Sequence, residues 1–226
     1  MLGASMSLDN VLLDSIDIDW FRKNIPDFDT KPFFTADWFS NGLVNFNFVK
    51  EHAEGKLSAI LEIGSHEGRA TCWMLENLLA DDGTITCIDP FGNTPLNAYT
   101  NDALPEQRII QDIHRHNTDL AKLPTQTVEV MPVMSYHGLA QLIVDRREFD
   151  LIYVDGSHCS DAVLADATMA FGLLKTGGYM IFDDYLWRES SDVLDHPKMS
   201  IDAFVNMFQK HIAIGMINYQ YVIQKV

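Results

Sequence analysis

Acidic side chains follow two apolar runs of the sequence, and their positions make them candidates for chemistry. Asp155 comes directly after "FDLIYV", and Asp183 and Asp184 come directly after "GYMIF". If these runs are adjacent parallel strands, their ends place the three carboxylates beside one another, where they repel. A raised pKa on one of them or a bound cation must offset that repulsion, and an all-oxygen set suits a hard divalent ion such as Mg²⁺. The alternative is that Asp155 caps the following helix and that Asp183 or Asp184 only fixes a loop.

A second candidate site lies in "LEIGSHEGRAT", where an apolar run breaks at Gly64 and helical periodicity begins around Gly68. A glycine turn that opens a helix lets backbone approach a ligand closely and points N–H groups at it. Asp89 ends the next apolar run, where a carboxylate can accept the hydroxyls of a ribose. These features favour a nucleoside-containing cofactor, with an ordinary turn and a loop aspartate as the alternative. The NAD fingerprint requires glycine where this chain has His66 and Arg69, so a hydride-transferring domain is disfavoured.

The elements that position these residues follow from the hydrophobic pattern. Segments with apolar residues at three- and four-residue spacing alternate with strand-like runs, which are "AILEI", "TITCID", "TVEVMPV", "FDLIYVD" and "GYMIFDD". This alternation predicts an α/β fold with a mostly parallel sheet. We expect "KTGG" to end the last intervening helix as a glycine C-cap. The tail "IAIGMINYQYVIQKV" predicts a closing antiparallel hairpin.

Composition limits the partners and the compartment. The chain of 226 residues has 32 acidic and 16 basic side chains, a net charge of -16 that disfavours a grip on nucleic acid phosphates. Three cysteines without paired spacing indicate reduced thiols, and we expect a cytoplasmic protein. The sequence has no basic, apolar leader and no run near the ~18 apolar residues that span a bilayer, so no membrane is expected. A homo-oligomer is left open.

Several of these stretches together resemble class I S-adenosylmethionine-dependent methyltransferases, specifically the group called methyltransferase family 24. The resemblance covers roughly residues 37 to 226 and rests on "LEIGSHEGRATCWMLENLL", "ITCIDPF", "FDLIYVDGSH", "LLKTGGYMIFDDYLW" and "PKMSIDAF". It implies a Rossmann-like class I methyltransferase fold, with a mostly parallel seven-stranded sheet, helices on both faces and a C-terminal antiparallel hairpin. We expect one domain, with residues 1–55 as a helical segment that covers the site and residues 56–226 as the core.

The resemblance also implies which residues bind S-adenosylmethionine. The glycine turn would wrap its methionine part, Glu62 would face the amino group, Asp89 the ribose and Ser135 the adenine. His66 departs from the generic E-x-G-x-G-x-G pattern, but the G-S-x-E-G form is usual in this group. The implied cofactor-binding set is Glu62, Gly64, Ser65, Glu67, Gly68, Asp89, Ser135 and Asp155.

Similar metal-dependent O-methyltransferases carry D-x-x-(K/H) and D-(D/N) at the ends of the fourth and fifth strands. Asp155 matches the first element, and Asp183 and Asp184 match the second. The resemblance therefore implies that these three residues bind a divalent cation, expected to be Mg²⁺. His158 stands where these enzymes have the base that takes the proton of the accepting hydroxyl, so Asp155 and His158 are the predicted catalytic residues. A histidine that only caps a helix or packs under a loop is the alternative.

The predicted function is metal-dependent O-methylation of a small hydroxylated molecule. Four large aromatics are candidates for a wall around this acceptor, although such side chains are more often simply packed; they are Trp38, Phe39, Tyr185 and Trp187. One alternative is a metal-independent N-methyltransferase of a protein or small molecule. Another is a non-catalytic cofactor-binding subunit. The absence of an N-P-P-Y motif and of a Pro-Cys nucleophile argues against methylation of DNA bases.

Overall fold

A seven-stranded sheet runs through the computed structural model, which describes residues 17–92 and 106–226. Its strands are β1 (Leu57–Ile63), β2 (Leu79–Ile88), β3 (Thr127–Met131), β4 (Phe149–Val154), β5 (Leu174–Phe182), β6 (Ile212–Ile217) and β7 (Tyr221–Lys225). The spatial order is β3-β2-β1-β4-β5-β7-β6, and only the pairs that include β7 are antiparallel among these described strands. The predicted α/β fold with a C-terminal antiparallel hairpin is confirmed.

Helices cover both faces of this sheet. They are α1 (Ile18–Asn24), α2 (Leu43–His52), α3 (Arg69–Asn77), α4 (Glu106–Ala121), α5 (Ser135–Val144), α6 (Ser160–Phe171) and α7 (Pro197–Phe208). A hydrophobic core lies on each face of the sheet, and successive residues of β4 point into opposite cores because side chains alternate along a strand. Tyr153 packs with buried residues of α2 and α3, whereas Ile152 packs with buried residues of α5, α6 and α7. No helix of the described chain is both long enough and apolar enough to cross a membrane.

The prediction for "KTGG" is wrong. Helix α6 ends at Phe171 with Gly172 as its C-cap residue, and the "KTGG" residues lie inside β5. Leu174 already pairs with Phe149 of β4, and the register then shifts before Tyr179 pairs with Leu151. The two glycines therefore form an irregularity within a paired strand, which a helix C-cap resembles in sequence because both use glycine.

The described part of the N-terminal segment packs on α4 and on the turn after β1. Phe21 and Phe28 form a small buried core with Ile113 of α4. The Asn117 side chain accepts a hydrogen bond from the Phe33 N–H (2.8 Å) and donates one to the Phe33 carbonyl (2.7 Å). These contacts fix the chain that leads to α2 next to the candidate site. The expected division of one domain at residues 55 and 56 stays a prediction, and residues 1–16 lie outside the described chain.

Candidate active site

A cavity of about 560 Å³ opens at the carboxyl ends of β1, β2, β4 and β5. Parallel strands bring their carboxyl ends to one edge of the sheet, which is where α/β proteins build sites. Six of the residues predicted to bind the cofactor or the metal, or to act in catalysis, line this cavity. They are Gly64, Asp89, Asp155, His158, Asp183 and Asp184.

The two glycines of the turn after β1 are required by close packing as well as by their backbone angles. Gly64 has a φ of +88°, and a Cβ there would lie 1.9 Å from the Asp155 carbonyl oxygen. Gly68 has a φ of +80°, and a Cβ there would lie 3.0 Å from the His114 ring. The turn therefore fits between the end of β4 and helix α4 only without these side chains.

Asp89 holds the turn in shape and faces the cavity. Its Oδ2 accepts a hydrogen bond from the His66 N–H (2.8 Å), and its Oδ1 accepts one from the Phe91 N–H (2.7 Å). His66 takes the unusual φ of +47°, which this bond helps to stabilise. A carboxylate has about four acceptor positions, so two positions of Asp89 stay available for ribose hydroxyls.

Three further residues of the implied cofactor set lie around a smaller cavity of about 50 Å³, namely Glu62, Ser65 and Glu67. Both Glu67 carboxylate oxygens accept hydrogen bonds from Thr35, at 2.7 Å from its N–H and 2.8 Å from its hydroxyl. Glu62 accepts hydrogen bonds at Oε2 from the Thr71 hydroxyl and, at 3.6 Å, from the Cys87 thiol. Burial raises the pKa of Glu62 to about 7, against the opposing effect of the Thr71 hydrogen bond.

Ser135, the remaining member of that set, lines neither of these two cavities. It is the first residue of α5, and its side chain hydrogen-bonds to Asp166. Burial raises the pKa of Asp166 to about 6, and the bond from Ser135 opposes this shift. A contact between Ser135 and an adenine stays a prediction.

Tyr153 joins two of the three predicted metal ligands. Its hydroxyl hydrogen-bonds to Asp155 Oδ2 (2.9 Å) and to Asp183 Oδ2. A hydroxyl has only one proton, so a carboxyl that keeps its own proton satisfies the second bond. Burial and repulsion from Asp183 and Asp184 raise the pKa of Asp155 well above its usual range. Sequence reasoning missed Tyr153. It stands two positions before Asp155, and residues two positions apart lie on the same face of a strand.

Asp184 forms a separate pair with His158. Its Oδ2 lies 2.7 Å from His158 Nε2, and its Oδ1 accepts a hydrogen bond from the Tyr219 hydroxyl (3.0 Å). The hydrogen bond that His158 donates to Asp184 is the largest of the effects that raise the pKa of His158, and partial burial opposes them. Neither Asp155 nor His158 caps α6. Cys159 holds the N-cap position, and its side chain makes no capping hydrogen bond.

The fit of a metal ion to these carboxylates rests on Asp155 and Asp183. The three predicted ligands, Asp155, Asp183 and Asp184, do not place one oxygen atom each within 4.8 Å of the other two. Among residues 17–92 and 106–226, the group of three that meets this criterion is Glu62, Cys87 and His114. Asp155 and Asp183 nevertheless share one hydroxyl and both line the cavity. This fits Mg²⁺, which commonly uses one or two carboxylates together with water and substrate oxygens. A site that uses all three aspartates stays a prediction.

Two of the four candidate aromatics face the large cavity. Trp38 and Trp187 line it, and the Trp187 ring centroid lies 4.3 Å from that of His158. Phe39 is buried against Phe46, and the hydroxyl of Tyr185, which is also buried, donates to Asp202 Oδ1 (2.8 Å). Tyr219 lines the cavity from the turn between β6 and β7. No local motif marks Tyr219, because its position depends on the hairpin turning back beside β5.

The sequence that builds this site matches the model of a known protein family. The model of methyltransferase family 24, described as a methyltransferase domain, matches residues 61–185, which include the glycine turn, Asp89 and all three aspartates after β4 and β5. The chain belongs to this family. This methyltransferase is also 24% identical, over 127 residues, to the uncharacterized protein R132 of Acanthamoeba polyphaga mimivirus. That match covers 55% of this chain and 50% of R132, so the chain spans about half the length of this curated relative.

Solved structures show the same fold. The O-methyltransferase TomG of Streptomyces achromogenes, from tomaymycin synthesis and in complex with S-adenosylmethionine, has a TM-score of 0.57 and 15% identity, over 98% of this methyltransferase and 93% of TomG. The mycinamycin pathway methyltransferase MycE, in complex with Mg and S-adenosylhomocysteine, has a TM-score of 0.53 and 14% identity, over 85% of this chain and 51% of MycE. The predicted class I methyltransferase fold is thereby confirmed.

Proposed function

We propose that this methyltransferase transfers the methyl group of S-adenosylmethionine to a hydroxyl oxygen of a small molecule. The observation that carries the proposal is the single cavity that holds both halves of the required site. Asp89 and the glycine turn lie on one side, and Asp155, Asp183 and His158 lie on the other. Its volume of about 560 Å³ lies within the usual range of small-molecule pockets, roughly 300 to 1,000 Å³. The complexes of TomG and MycE support the choice of cofactor.

The pair of His158 and Asp184 supplies the base for transfer to oxygen. Asp184 holds Nε2 of the ring at 2.7 Å, which leaves Nδ1 to take the proton of the acceptor. The acceptor oxygen then bonds to the methyl carbon while the bond from that carbon to the sulfonium sulfur breaks, and S-adenosylhomocysteine leaves. Because the hydrogen bond to Asp184 fixes the ring, the base is positioned before the acceptor binds.

The proposal includes a divalent cation such as Mg²⁺ at Asp155 and Asp183. Such an ion would offset the charge of these carboxylates, lower the pKa of a bound hydroxyl and orient it. The shared hydroxyl of Tyr153 holds the two side chains at the edge of the cavity. The Mg complex of MycE supports this choice of ion. Asp184 is a third ligand in the sequence prediction, and its contacts with His158 and Tyr219 leave about two of its four acceptor positions for that role.

A screen of hydroxylated small molecules for conversion of S-adenosylmethionine to S-adenosylhomocysteine tests the proposal. We expect turnover that depends on the acceptor, yields an O-methyl product, and stops when a chelator removes divalent ions. The Asp183→Asn variant should lose this turnover, whereas the control variant Asp81→Asn, at an exposed position, should keep it. Turnover that resists chelation would remove the metal from the proposal. A product methylated on nitrogen would favour the alternative of an N-methyltransferase. Tight cofactor binding without turnover of any hydroxylated, amine or protein acceptor would favour the alternative of a non-catalytic cofactor-binding subunit.

A further inference from the structure

A second polar cluster lies beneath the glycine turn, outside the large cavity. Glu62 of β1 and Cys87 of β2 are partners in the parallel register, and His114 reaches them from α4. All three residues are completely buried, each with 0% exposure. One potential ligand atom from each lies within 4.8 Å of the other two.

Several polar atoms of this cluster have no hydrogen-bond partner within the described chain. They include Oε1 of Glu62 and both ring nitrogens of His114. Buried polar atoms in native proteins are nearly always paired, so each of these needs an explanation such as a bound ion. The unpaired oxygen offers electron pairs, and so does the unprotonated nitrogen of a neutral imidazole. A metal ion is one partner that accepts these electron pairs; for Glu62 the Ser65 hydroxyl is a second, and the cofactor amino group that the resemblance implies is a third.

We propose that Glu62, Cys87 and His114 form a buried site for a divalent transition metal ion of the zinc type. Carboxylate oxygen, thiolate sulfur and imidazole nitrogen are the three ligand types that Zn²⁺ takes in proteins, at about 2.0 to 2.3 Å. The ligand atoms around a tetrahedral ion are then about 3.5 Å apart, so atoms that now lie within 4.8 Å of one another need to approach by at most about 1.3 Å.

Charge balance supports a dication at this place. The Glu62 carboxylate and the Cys87 thiolate together carry two negative charges, and His114 binds as a neutral ring. An ion of charge +2 thus gives a neutral group in a fully buried position, where an unbalanced charge would be costly. On binding, the Cys87 thiol and the protonated fraction of Glu62 release their protons to solvent, and bonds to the metal replace the bonds to hydrogen.

The small cavity gives the site an entrance and a fourth position. It is about 50 Å³ in volume, large enough for a water ligand, and both Glu62 and Ser65 line it. The buried Ser65 hydroxyl has no partner at full hydrogen-bond geometry, but it lies close enough to Glu62 and Cys87 to oppose the rise of their pKa values. Gly68 leaves the room for the His114 ring, as a Cβ at that position would lie 3.0 Å from the ring. A bound ion would tie β1 and β2 to α4 directly under the turn.

Titration of dialysed protein with Co²⁺ tests the site, because a thiolate ligand gives Co²⁺ a charge-transfer band that oxygen ligands do not give. We expect the band to saturate at one equivalent and to disappear when one equivalent of Zn²⁺ is added. Only three cysteines exist, so variants can assign the band. Cys87→Ser should abolish it, whereas Cys72→Ser, which changes another buried thiol, on α3, should leave it unchanged. His114→Ala should weaken Co²⁺ binding at least about tenfold.

No band in the wild-type protein would overturn the site, and so would a band that survives Cys87→Ser. The wild-type result decides alone if a variant fails to fold, which circular dichroism shows. Excess Mg²⁺ should not displace Co²⁺ from this site, which separates it from Asp155 and Asp183. Since the assay measures binding only, it is independent of methyl transfer.

Discussion

The two polar clusters of the molecule differ in how their charges are satisfied. In the open cluster, formed by Asp155, Asp183, Asp184 and His158, the hydroxyls of Tyr153 and Tyr219 or the His158 ring contact each carboxylate. In the closed cluster, formed by Glu62, Cys87 and His114, an oxygen and both ring nitrogens face no partner within the described chain. The open cluster can exchange protons with a ligand in the large cavity. In the closed cluster, a change in the charge of Glu62 or His114 instead changes the free energy of unfolding.

Loss of the base in the open cluster should have the largest effect. His158→Ala should lower kcat by about 10²- to 10⁴-fold, the usual contribution of a general base, with cofactor affinity nearly unchanged. The exposed His137→Ala is the control. Since Asp184 raises the pKa of His158, the wild-type rate should rise with pH through a pKa above the ordinary value of 6.5. A variant within a few-fold of wild type, with the same pH profile, would make His158 structural.

The closed cluster should show itself in the pH dependence of stability. Burial raises the pKa of Glu62 from 4.5 to about 7, so the folded state holds its proton more tightly and loses stability as pH rises through this range. Glu62→Gln removes that loss. Measured with a chelator present, the unfolding free energy of the variant relative to wild type should therefore rise by about 1.4 kcal/mol per pH unit, on the order of 3 kcal/mol in total.

Two comparisons sharpen the Glu62 result. The exposed Glu76→Gln should show no such slope relative to wild type. Burial lowers the pKa of His114 to about 4, so the folded state loses stability as pH falls below 6.5. This effect of His114 is present in wild type and in Glu62→Gln alike, so it cancels when their unfolding free energies are subtracted. A flat difference between Glu62→Gln and wild type would mean that a protein group or an ion neutralises Glu62 at every pH.

Sequence reasoning recovered the open cluster better than the closed one. Asp155, Asp183 and Asp184 follow strands whose order the apolar pattern predicts, so their meeting at one edge follows from the fold class. His114 has no motif or ligand spacing in the sequence that singles it out, yet it is fully buried. Nothing local in its helix marks this burial, because it depends on how α4 packs over Gly68. The same limit applies to Tyr219, which a hairpin turn carries to the cavity.

The ribose contact of Asp89 should have an intermediate effect. Asp89→Ala should weaken binding of S-adenosylhomocysteine by about 1 to 3 kcal/mol, the range for buried polar partners left unpaired. Isothermal calorimetry measures this, with Asp82→Ala on the exposed part of β2 as the matched control. Because Asp89 also accepts hydrogen bonds from the backbone of His66 and Phe91, some loss of stability should accompany the change. Equal affinities of variant and wild type would remove the ribose assignment.

The smallest effect should come from the contact between the N-terminal segment and the turn. Thr35→Val removes the hydroxyl that donates to Glu67 Oε1 at 2.8 Å but keeps the backbone N–H that donates to Oε2. Its unfolding free energy should fall by about 1 kcal/mol, the net value of one hydrogen bond. Urea denaturation measures this against Thr30→Val, which removes an exposed hydroxyl whose hydrogen bond to the Asp27 carbonyl (3.0 Å) water can replace.

Affinity for S-adenosylhomocysteine should be the same in both threonine variants, because both Glu67 oxygens are engaged by Thr35 in the structure. If Thr35→Val instead lost affinity about tenfold while its stability stayed that of wild type, Glu67 would be a cofactor ligand that Thr35 orients. In that case the turn after β1 would bind the cofactor through its side chains as well as through Gly64 and Asp89. An unchanged affinity with reduced stability would leave Glu67 as the anchor that holds the N-terminal segment against the cavity.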